Sequence, residues 1–278
     1  MEWTSPESRA RYDALVAAAP ATVAGFDMDG TLSPIVEDPA LAHIHPDAPD
    51  VLVALAGVVR AVAIITGRPA RQALALGGLD EVGDRIGRDD RELFVLGQYG
   101  NERWSSSQRR IVSPRPPHGL ATFQRELPRL LREVDAADAY VEEKGLAVAV
   151  HTRRLPDGAA AYERLRAPVT AAAERNGLAV EPGRQVLEVR APGMDKGLAV
   201  ETVAREQSAG GFLFAGDDLG DIEAFRAVER LRGQGLPGLL VCSAGEEVNE
   251  LHALADVVVD GPAGVLDLLR GFVADAGS

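Results

Sequence analysis

The chain has 278 residues, 46% of them hydrophobic and 26% charged, a balance typical of a globular protein large enough for two domains. Its formal net charge of −13 disfavours polyanionic partners, so we expect no binding to nucleic acid or to anionic membranes. The single cysteine, Cys242, excludes an internal disulfide, and no apolar run approaches the ~18 residues that span a bilayer. We therefore expect a cytoplasmic protein that works as a monomer on small molecules.

Short apolar runs alternate with helical patterns towards both ends of the chain. Uninterrupted apolar runs predict buried parallel strands at residues 22–26, 61–66, 93–97, 211–216, 238–242 and 256–260. Helices are predicted at residues 47–58, 69–76, 195–207, 221–231 and 262–273, the second of them with Pro69 in its first position. Strands separated by helices require crossover connections, so the pattern predicts a Rossmann-like parallel sheet of the α/β class.

The middle of the chain, from about Arg103 to Arg190, has a different pattern, with paired strands and two longer helices. Residues 120–134 form an amphipathic helical pattern that Pro128 is expected to kink or restart. Strands of a separate sheet are predicted at residues 139–143, 146–152 and 185–190. Proline-bearing stretches flank this block, as in linkers between domains. We therefore predict a core domain of residues 1–110 and 191–278, and an inserted α+β domain of residues 111–190.

Four polar segments follow predicted strands or begin a predicted helix, where open parallel sheets bind their ligands. The first is Asp27-Met28-Asp29-Gly30-Thr31, after the strand 22–26. Two carboxylates beside the N–H groups of a tight turn suit a phosphate site. A solvated acidic turn is the alternative. A calcium-binding loop is excluded, because its glycine would come sixth and Gly30 comes fourth.

The second segment, Thr66-Gly67-Arg68, follows the strand 61–66 and offers a hydroxyl and a glycine N–H to an anion. Thr-Gly is also a common turn. The third segment, residues 194–197, begins a helix and contains Lys196. A lysine in a first helical turn is usually a solvated charge, but the helix dipole disfavours a cation there. This position favours a role for Lys196 in neutralising a phosphate and a carboxylate.

The fourth segment, residues 216–221, concentrates three carboxylates in one loop: Asp217, Asp218 and Asp221. These side chains repel one another unless a hard divalent cation lies between them. A helix N-cap is the alternative reading, but capping requires only one aspartate. The loop therefore predicts a metal site.

This ordered set of segments resembles the four motifs of the haloacid dehalogenase superfamily of phosphotransferases, over about residues 22–101 and 190–278. The resemblance implies a phosphatase in which Asp27 is the nucleophile, Asp29 the general acid and base, and Lys196 the partner of Asp27. It implies Mg²⁺ as cofactor, bound by Asp27, the backbone carbonyl of Asp29, Asp217 and Asp221. It also implies a phosphate site formed by Gly30, Thr66, Gly67, Arg68 and Lys196.

The inserted domain resembles the large cap of sugar-phosphate phosphatases. Residues 97–102, 142–153, 186–197 and 216–225 are similar to trehalose-6-phosphate phosphatases, which release trehalose and phosphate. The resemblance implies that Glu142, Lys144 and Glu188 bind sugar hydroxyls; the alternative is that these charges are the solvent face of a sheet.

Two other functions stay open at this point. One is a phosphatase for sucrose phosphate or for glucosyl- or mannosyl-3-phosphoglycerate, and the other is a non-catalytic sugar-phosphate-binding protein. The chain also departs from the family pattern Gly-Asp-Asp-x-Thr-Asp, because Gly220 stands in place of the threonine. That departure puts the support of the metal ligands in doubt.

Overall fold

The structure is a computed structural model that describes residues 1–36, 38–87, 91–183, 185–244 and 250–277. The chain forms two compact units. The first unit comprises Met1–Ser113 with Asp195–Ser278, and the second comprises Pro114–Met194. Among the described residues, none of the helices is both long and apolar enough to cross a membrane.

A mainly parallel sheet forms the centre of the first unit. In spatial order its strands are β1 (Glu2–Trp3), β12 (Val257–Asp260), β11 (Gly238–Ala244), β10 (Gly211–Gly216), β2 (Thr22–Phe26), β3 (Ala61–Ile65), β4 (Glu92–Gly97) and β5 (Glu102–Ser105). The six inner strands run parallel, and the edge strands β1 and β5 are antiparallel to their neighbours. The predicted α/β class is confirmed. The two edge strands were not predicted, because one has only two residues and the other is polar.

Helices cover both faces of this sheet and bury the alternate side chains of its strands. They are α1 (Pro6–Ala17), α2 (Ala48–Val58), α3 (Ala70–Gly77), α4 (Leu79–Ile86), α7 (Lys196–Glu206), α8 (Ile222–Gly233), α9 (Glu250–Leu254) and α10 (Gly261–Ala276). Ala24 and Phe26 of β2 pack into one hydrophobic cluster, whereas Val23 packs into the other. Both faces are therefore buried, which explains the uninterrupted apolar runs. Pro69 precedes α3 in an extended conformation, so its predicted place inside the helix is wrong by one residue.

A buried carboxylate joins three elements near the β1 edge of the sheet. The side chain of Asp256 is only 1% exposed. It accepts a hydrogen bond of 2.8 Å from the backbone N–H of Leu240, and it pairs with Arg11 of α1 and Arg232 of α8. Two guanidinium groups and one N–H thus offset the cost of burying the charge.

The second unit is an antiparallel sheet with helices α5 (Leu120–Glu133) and α6 (Gly158–Arg175). Its strands, in spatial order, are β6 (Tyr140–Glu143), β7 (Ala147–His151), β9 (Val186–Arg190) and β8 (Ala179–Gly183). Pro128 lies inside α5 and marks no new helix start. The strand register sets Glu142 and Glu188 on either side of Ala149, so both glutamates lie on the same face of the sheet.

Candidate active site

Apart from Met194, the four predicted polar segments lie in the first unit, at three strand ends and one helix start. Strand β2, which precedes Asp27, lies between β3 and β10 in the sheet. Parallel strands end at the same edge, so the segments after β2, β3 and β10 are neighbours although they are far apart in sequence. Lys196 at the start of α7 contacts the same site.

Lys196 lies between two buried carboxylates. Its Nζ is 2.8 Å from Oδ1 of Asp27 and 2.7 Å from Oδ1 of Asp221. Asp195 caps α7 by accepting the N–H of Leu198 at 2.9 Å, which defines where the helix starts and thus where Lys196 projects. The lysine, in a position that the helix dipole disfavours, is therefore held by direct ion pairs.

Three carboxylates converge beside this lysine and form the best candidate for a metal site among the described residues. Oxygen atoms of Asp27, Asp217 and Asp221 all lie within 4.8 Å of one another. An all-carboxylate set of donors suits a hard divalent cation such as Mg²⁺. Three ionised carboxylates beside one ammonium would leave a net charge of about −2, which a divalent cation neutralises. The residues present therefore fit the ion that the sequence resemblance implies.

The pKa values of these groups reflect the crowding. Burial raises the pKa of Asp27 well above its usual value, although Lys196 opposes the shift. Burial and repulsion by Asp27 and Asp221 raise the pKa of Asp217 to about 9. Burial by itself would lower the pKa of Lys196, but Asp221 and Asp27 outweigh it and raise that pKa well above the usual value. Without a cation, the site thus favours bound protons on its carboxylates.

Gly30 gives the loop after β2 its shape. Its φ is +72°, and a β-carbon there would lie 2.0 Å from Oδ2 of Asp217. The N–H of Gly30 donates to the carbonyl of Ser33 at 2.8 Å, so this predicted phosphate donor already has a partner in the turn. Ser243, buried at the end of β11, donates its hydroxyl to the carbonyl of Gly30 at 2.7 Å. Sequence analysis missed Ser243, although its position after a predicted parallel strand was a usable signal.

Asp29 and Arg68 form a two-point ion pair. The Nε of Arg68 is 2.6 Å from Oδ2 of Asp29, and its Nη2 is 2.6 Å from Oδ1. Its Nη1 donates to the carbonyl of Pro39 at 2.9 Å. The Asp29 side chain is 40% exposed and lies outside the group of carboxylates that could hold a metal. The two side chains that the sequence analysis assigned to separate roles therefore lie in direct contact.

Tyr99 lies against the second segment. A β-carbon on Gly67 would lie 2.9 Å from the Tyr99 hydroxyl, so the close approach requires glycine. Tyr99 and the preceding Gln98 both have positive φ, and their N–H groups donate to the carbonyls of Thr66 and Arg68. The packing of Tyr99 against Gly67 was not predicted from the sequence, in which residues 97–102 showed only the family resemblance.

The acidic loop divides its aspartates between two tasks. Asp218 caps the 3₁₀ turn Leu219–Asp221, and its Oδ1 accepts the N–H of Gly220 at 2.9 Å. Asp217 and Asp221 instead belong to the carboxylate cluster with Asp27. The N-cap reading therefore applies to Asp218, whereas Asp217 and Asp221 stay the candidates for metal binding. Gly220 is exposed, and a β-carbon there would lie 3.0 Å from the capping oxygen.

In the second unit, the three predicted sugar-binding side chains each contact another polar side chain. Glu142 lies 3.0 Å from Nε2 of His151, and Lys144 lies 2.6 Å from Oε2 of Glu188. Arg190 approaches the other oxygen of Glu188 at 3.5 Å. Glu188 is 5% exposed, which is unlike a glutamate on a solvent face.

The chain is similar in sequence to known proteins. The family model of trehalose-phosphatase matches residues 130–257. An uncharacterized glycosyl hydrolase of Mycobacterium tuberculosis is 34% identical over 222 residues, which cover 76% of this chain and 15% of that protein. A trehalose-phosphate phosphatase of the same organism is 30% identical over 226 residues, which cover 78% of this chain and 53% of that protein. The chain therefore spans about half of the second relative and a small part of the first.

The fold has a close counterpart among solved structures. The C-terminal domain of trehalose-6-phosphate phosphatase from Candida albicans superposes with a TM-score of 0.75 at 20% identity, covering 98% of both chains. At that identity the likeness establishes the shared fold. Together with the family-model match, the shared fold confirms the resemblance to trehalose-phosphatases that the motifs predicted.

Proposed function

We propose that this protein is a phosphatase that hydrolyses trehalose 6-phosphate to trehalose and phosphate through an aspartyl-phosphate on Asp27. The observation that carries the proposal is the buried Asp27 carboxylate, 2.8 Å from Lys196 and beside two further carboxylates at the end of a central strand. Burying a carboxylate in such a place destabilises the folded state, so its presence there favours a chemical role. The trehalose-phosphate phosphatase among the relatives supports the choice of substrate.

The reaction divides into two steps on the side chains of the first unit. In the first, a carboxylate oxygen of Asp27 attacks phosphorus, the bond from phosphorus to the sugar oxygen breaks, and Asp29 gives that oxygen a proton. In the second, water attacks phosphorus, its proton passes to Asp29, and the bond to Asp27 breaks to release phosphate. Lys196 holds Asp27 in place and offsets negative charge throughout.

Mg²⁺ is the proposed cofactor. Asp27, Asp217, Asp221 and the backbone carbonyl of Asp29 would hold it, and when bound it would supply Lewis-acid stabilisation of the phosphate charge. Thr66 and Gly67 would offer a hydroxyl and an N–H to the phosphate oxygens. The support is the set of carboxylate donors within 4.8 Å of one another.

The second unit is proposed to select the sugar. Glu142 lies on β6 and Glu188 on β9 of one sheet, and Lys144 directly follows β6. Their charged groups can bind the neutral hydroxyls of a sugar through paired hydrogen bonds. The buried Cys242 suits a reducing compartment, and we expect a cytoplasmic enzyme. The monomeric state stays a prediction.

The decisive experiment measures phosphate release from trehalose 6-phosphate, sucrose 6-phosphate, glucose 6-phosphate and glucosyl-3-phosphoglycerate, with Mg²⁺ and with a chelator. The variants are wild type, Asp27→Asn and the matched surface control Asp13→Asn, whose side chain is 59% exposed. We expect a preference for trehalose 6-phosphate that the chelator and Asp27→Asn abolish and that the control retains. Turnover by Asp27→Asn would refute the mechanism, and equal rates on another ester would refute the substrate.

A further inference from the structure

We propose that Arg68 is a positioning residue that holds the Asp29 carboxylate for proton transfer, and that it is not a ligand of the substrate phosphate. The inference rests on the proposed function, in which Asp29 gives and takes the protons. It replaces the role that the motif resemblance implied for Arg68.

The contacts of the guanidinium group carry the inference. Each of its three nitrogens has a protein acceptor: Nε and Nη2 donate to the two oxygens of Asp29 at 2.6 Å, and Nη1 donates to the carbonyl of Pro39 at 2.9 Å. Parallel contacts between a guanidinium fork and a carboxylate are short, strong and directional. The Arg68 side chain is only 11% exposed, so packing limits its movement. The arginine is thus oriented by the protein itself.

These contacts define where the Asp29 carboxylate lies. Asp29 is 40% exposed on a loop, where a carboxylate without a strong partner would sample several rotamers. Two-point contact with Arg68 sets both the position and the plane of the carboxylate. The third contact anchors the guanidinium to the 3₁₀ turn Pro39–Leu41, which is a separate part of the chain. A lysine would supply a point charge and could not bridge both oxygens.

The charge balance argues against a direct phosphate contact. Arg68 and Asp29 neutralise each other as a pair, so together they offer a phosphate no net positive charge. Three of the five N–H groups of Arg68 already donate to Asp29 and Pro39, so at most one N–H each of Nη1 and Nη2 could reach a phosphate oxygen. Lys196 differs, because it lies in the buried cluster beside the nucleophile, where negative charge is in excess.

Two substrates separate positioning from phosphate binding. With p-nitrophenyl phosphate the leaving group is a stable anion that departs without a proton, so single-turnover p-nitrophenolate release reports attack by Asp27. Trehalose 6-phosphate requires a proton on its leaving oxygen, and hydrolysis of the aspartyl-phosphate requires a base for either substrate. Inhibition by orthophosphate measures phosphate binding separately.

The variants are Arg68→Ala, Arg68→Lys and Asp29→Asn, with Arg71→Ala as the control for loss of an exposed arginine on α3. Proton transfer contributes ~10²–10⁴ in rate, and a misplaced carboxylate loses less than an absent one. For Arg68→Ala we therefore expect kcat on trehalose 6-phosphate to fall by about 10- to 100-fold. Single-turnover p-nitrophenolate release and orthophosphate inhibition should stay within about threefold of wild type. Asp29→Asn should lose more kcat than Arg68→Ala loses, again with little change in single-turnover release or orthophosphate inhibition. The kcat of Arg68→Lys should lie between those of Arg68→Ala and wild type.

A chemical rescue protects the test against simple misfolding. Guanidinium chloride, at concentrations below those that denature the protein, should raise the kcat of Arg68→Ala several-fold. It should not restore kcat to Arg68→Met, whose side chain fills the space. A structural defect would not respond to the added ion.

Three results for Arg68→Ala would overturn the inference. Orthophosphate inhibition could weaken while kcat is retained, single-turnover release and kcat could fall in parallel, or none of the three quantities could change. Failure of the proposed function gives a different pattern. In that case Asp27→Asn retains turnover, or wild type hydrolyses neither ester, whatever the Arg68 variants show.

Discussion

Replacement of Lys196 by methionine tests the electrostatics of the site most directly. The substitution keeps the length of the side chain and removes the ammonium that lies 2.8 Å from Asp27 and 2.7 Å from Asp221. Breaking a buried ion pair costs about 3–5 kcal/mol when the remaining charge is uncompensated. A carboxyl can avoid that cost by binding a proton, so the destabilisation should depend on pH.

The sign of this dependence follows from the pKa shifts. Lys196 lowers the pKa of Asp27 and Asp221 against a larger rise from burial. Without the lysine these pKa values rise further, and the folded variant holds an additional proton that the unfolded chain has lost. The stabilisation of the folded variant by this additional proton is then present at low pH and disappears as pH rises. One additional proton corresponds to about 1.4 kcal/mol per pH unit, or about 3.4 kcal/mol between about pH 5.5 and about pH 8.

The assay is urea unfolding of wild type and Lys196→Met, with a chelator present, at both pH values. Arg226→Met is the matched control, because its ion pair with Glu223 lies on the surface and should contribute less than about 1 kcal/mol at either pH. A loss of stability in Lys196→Met that is the same at both pH values would refute the reasoning. It would mean that removing the lysine does not change the number of protons that the carboxylates hold between these pH values.

Two further substitutions test the turn and the buried network. Gly30→Ala should weaken Mg²⁺ binding by at least about 10-fold in titration calorimetry, because the added carbon would lie 2.0 Å from Oδ2 of Asp217, a proposed ligand. Unchanged affinity would show that the loop relaxes freely. Asp256→Asn should lower the free energy of unfolding by about 3 kcal/mol, since it leaves Arg232 without its carboxylate partner. Asp13→Asn, in an exposed pair, should change it by less than about 1 kcal/mol, and equal effects of the two substitutions would contradict the argument.

The sequence by itself determined the inner strands of the main sheet and the order of the four motifs. Strands buried on both faces have no polar positions, so the apolar runs ending at Phe26 and Gly216 showed both the strands and their carboxyl ends. The edge strand Glu102–Ser105 was missed because a strand with one neighbour keeps polar residues. The predicted helix start at Pro69 failed by one residue, since local propensity defines helix ends poorly.

Only the tertiary structure decided which side chains meet. Asp29 and Arg68 are 39 residues apart in sequence, and Gly30 and Ser243 are 213 apart, yet each pair is in hydrogen-bond contact. Motif order assigned Asp29 and Arg68 to different tasks, whereas their two-point contact joins them. A sequence motif indicates which chemical groups are present at the end of a strand. The carboxyl ends of separate strands meet at one edge of the sheet, and packing orients each side chain there. These two features decide which donor reaches which acceptor.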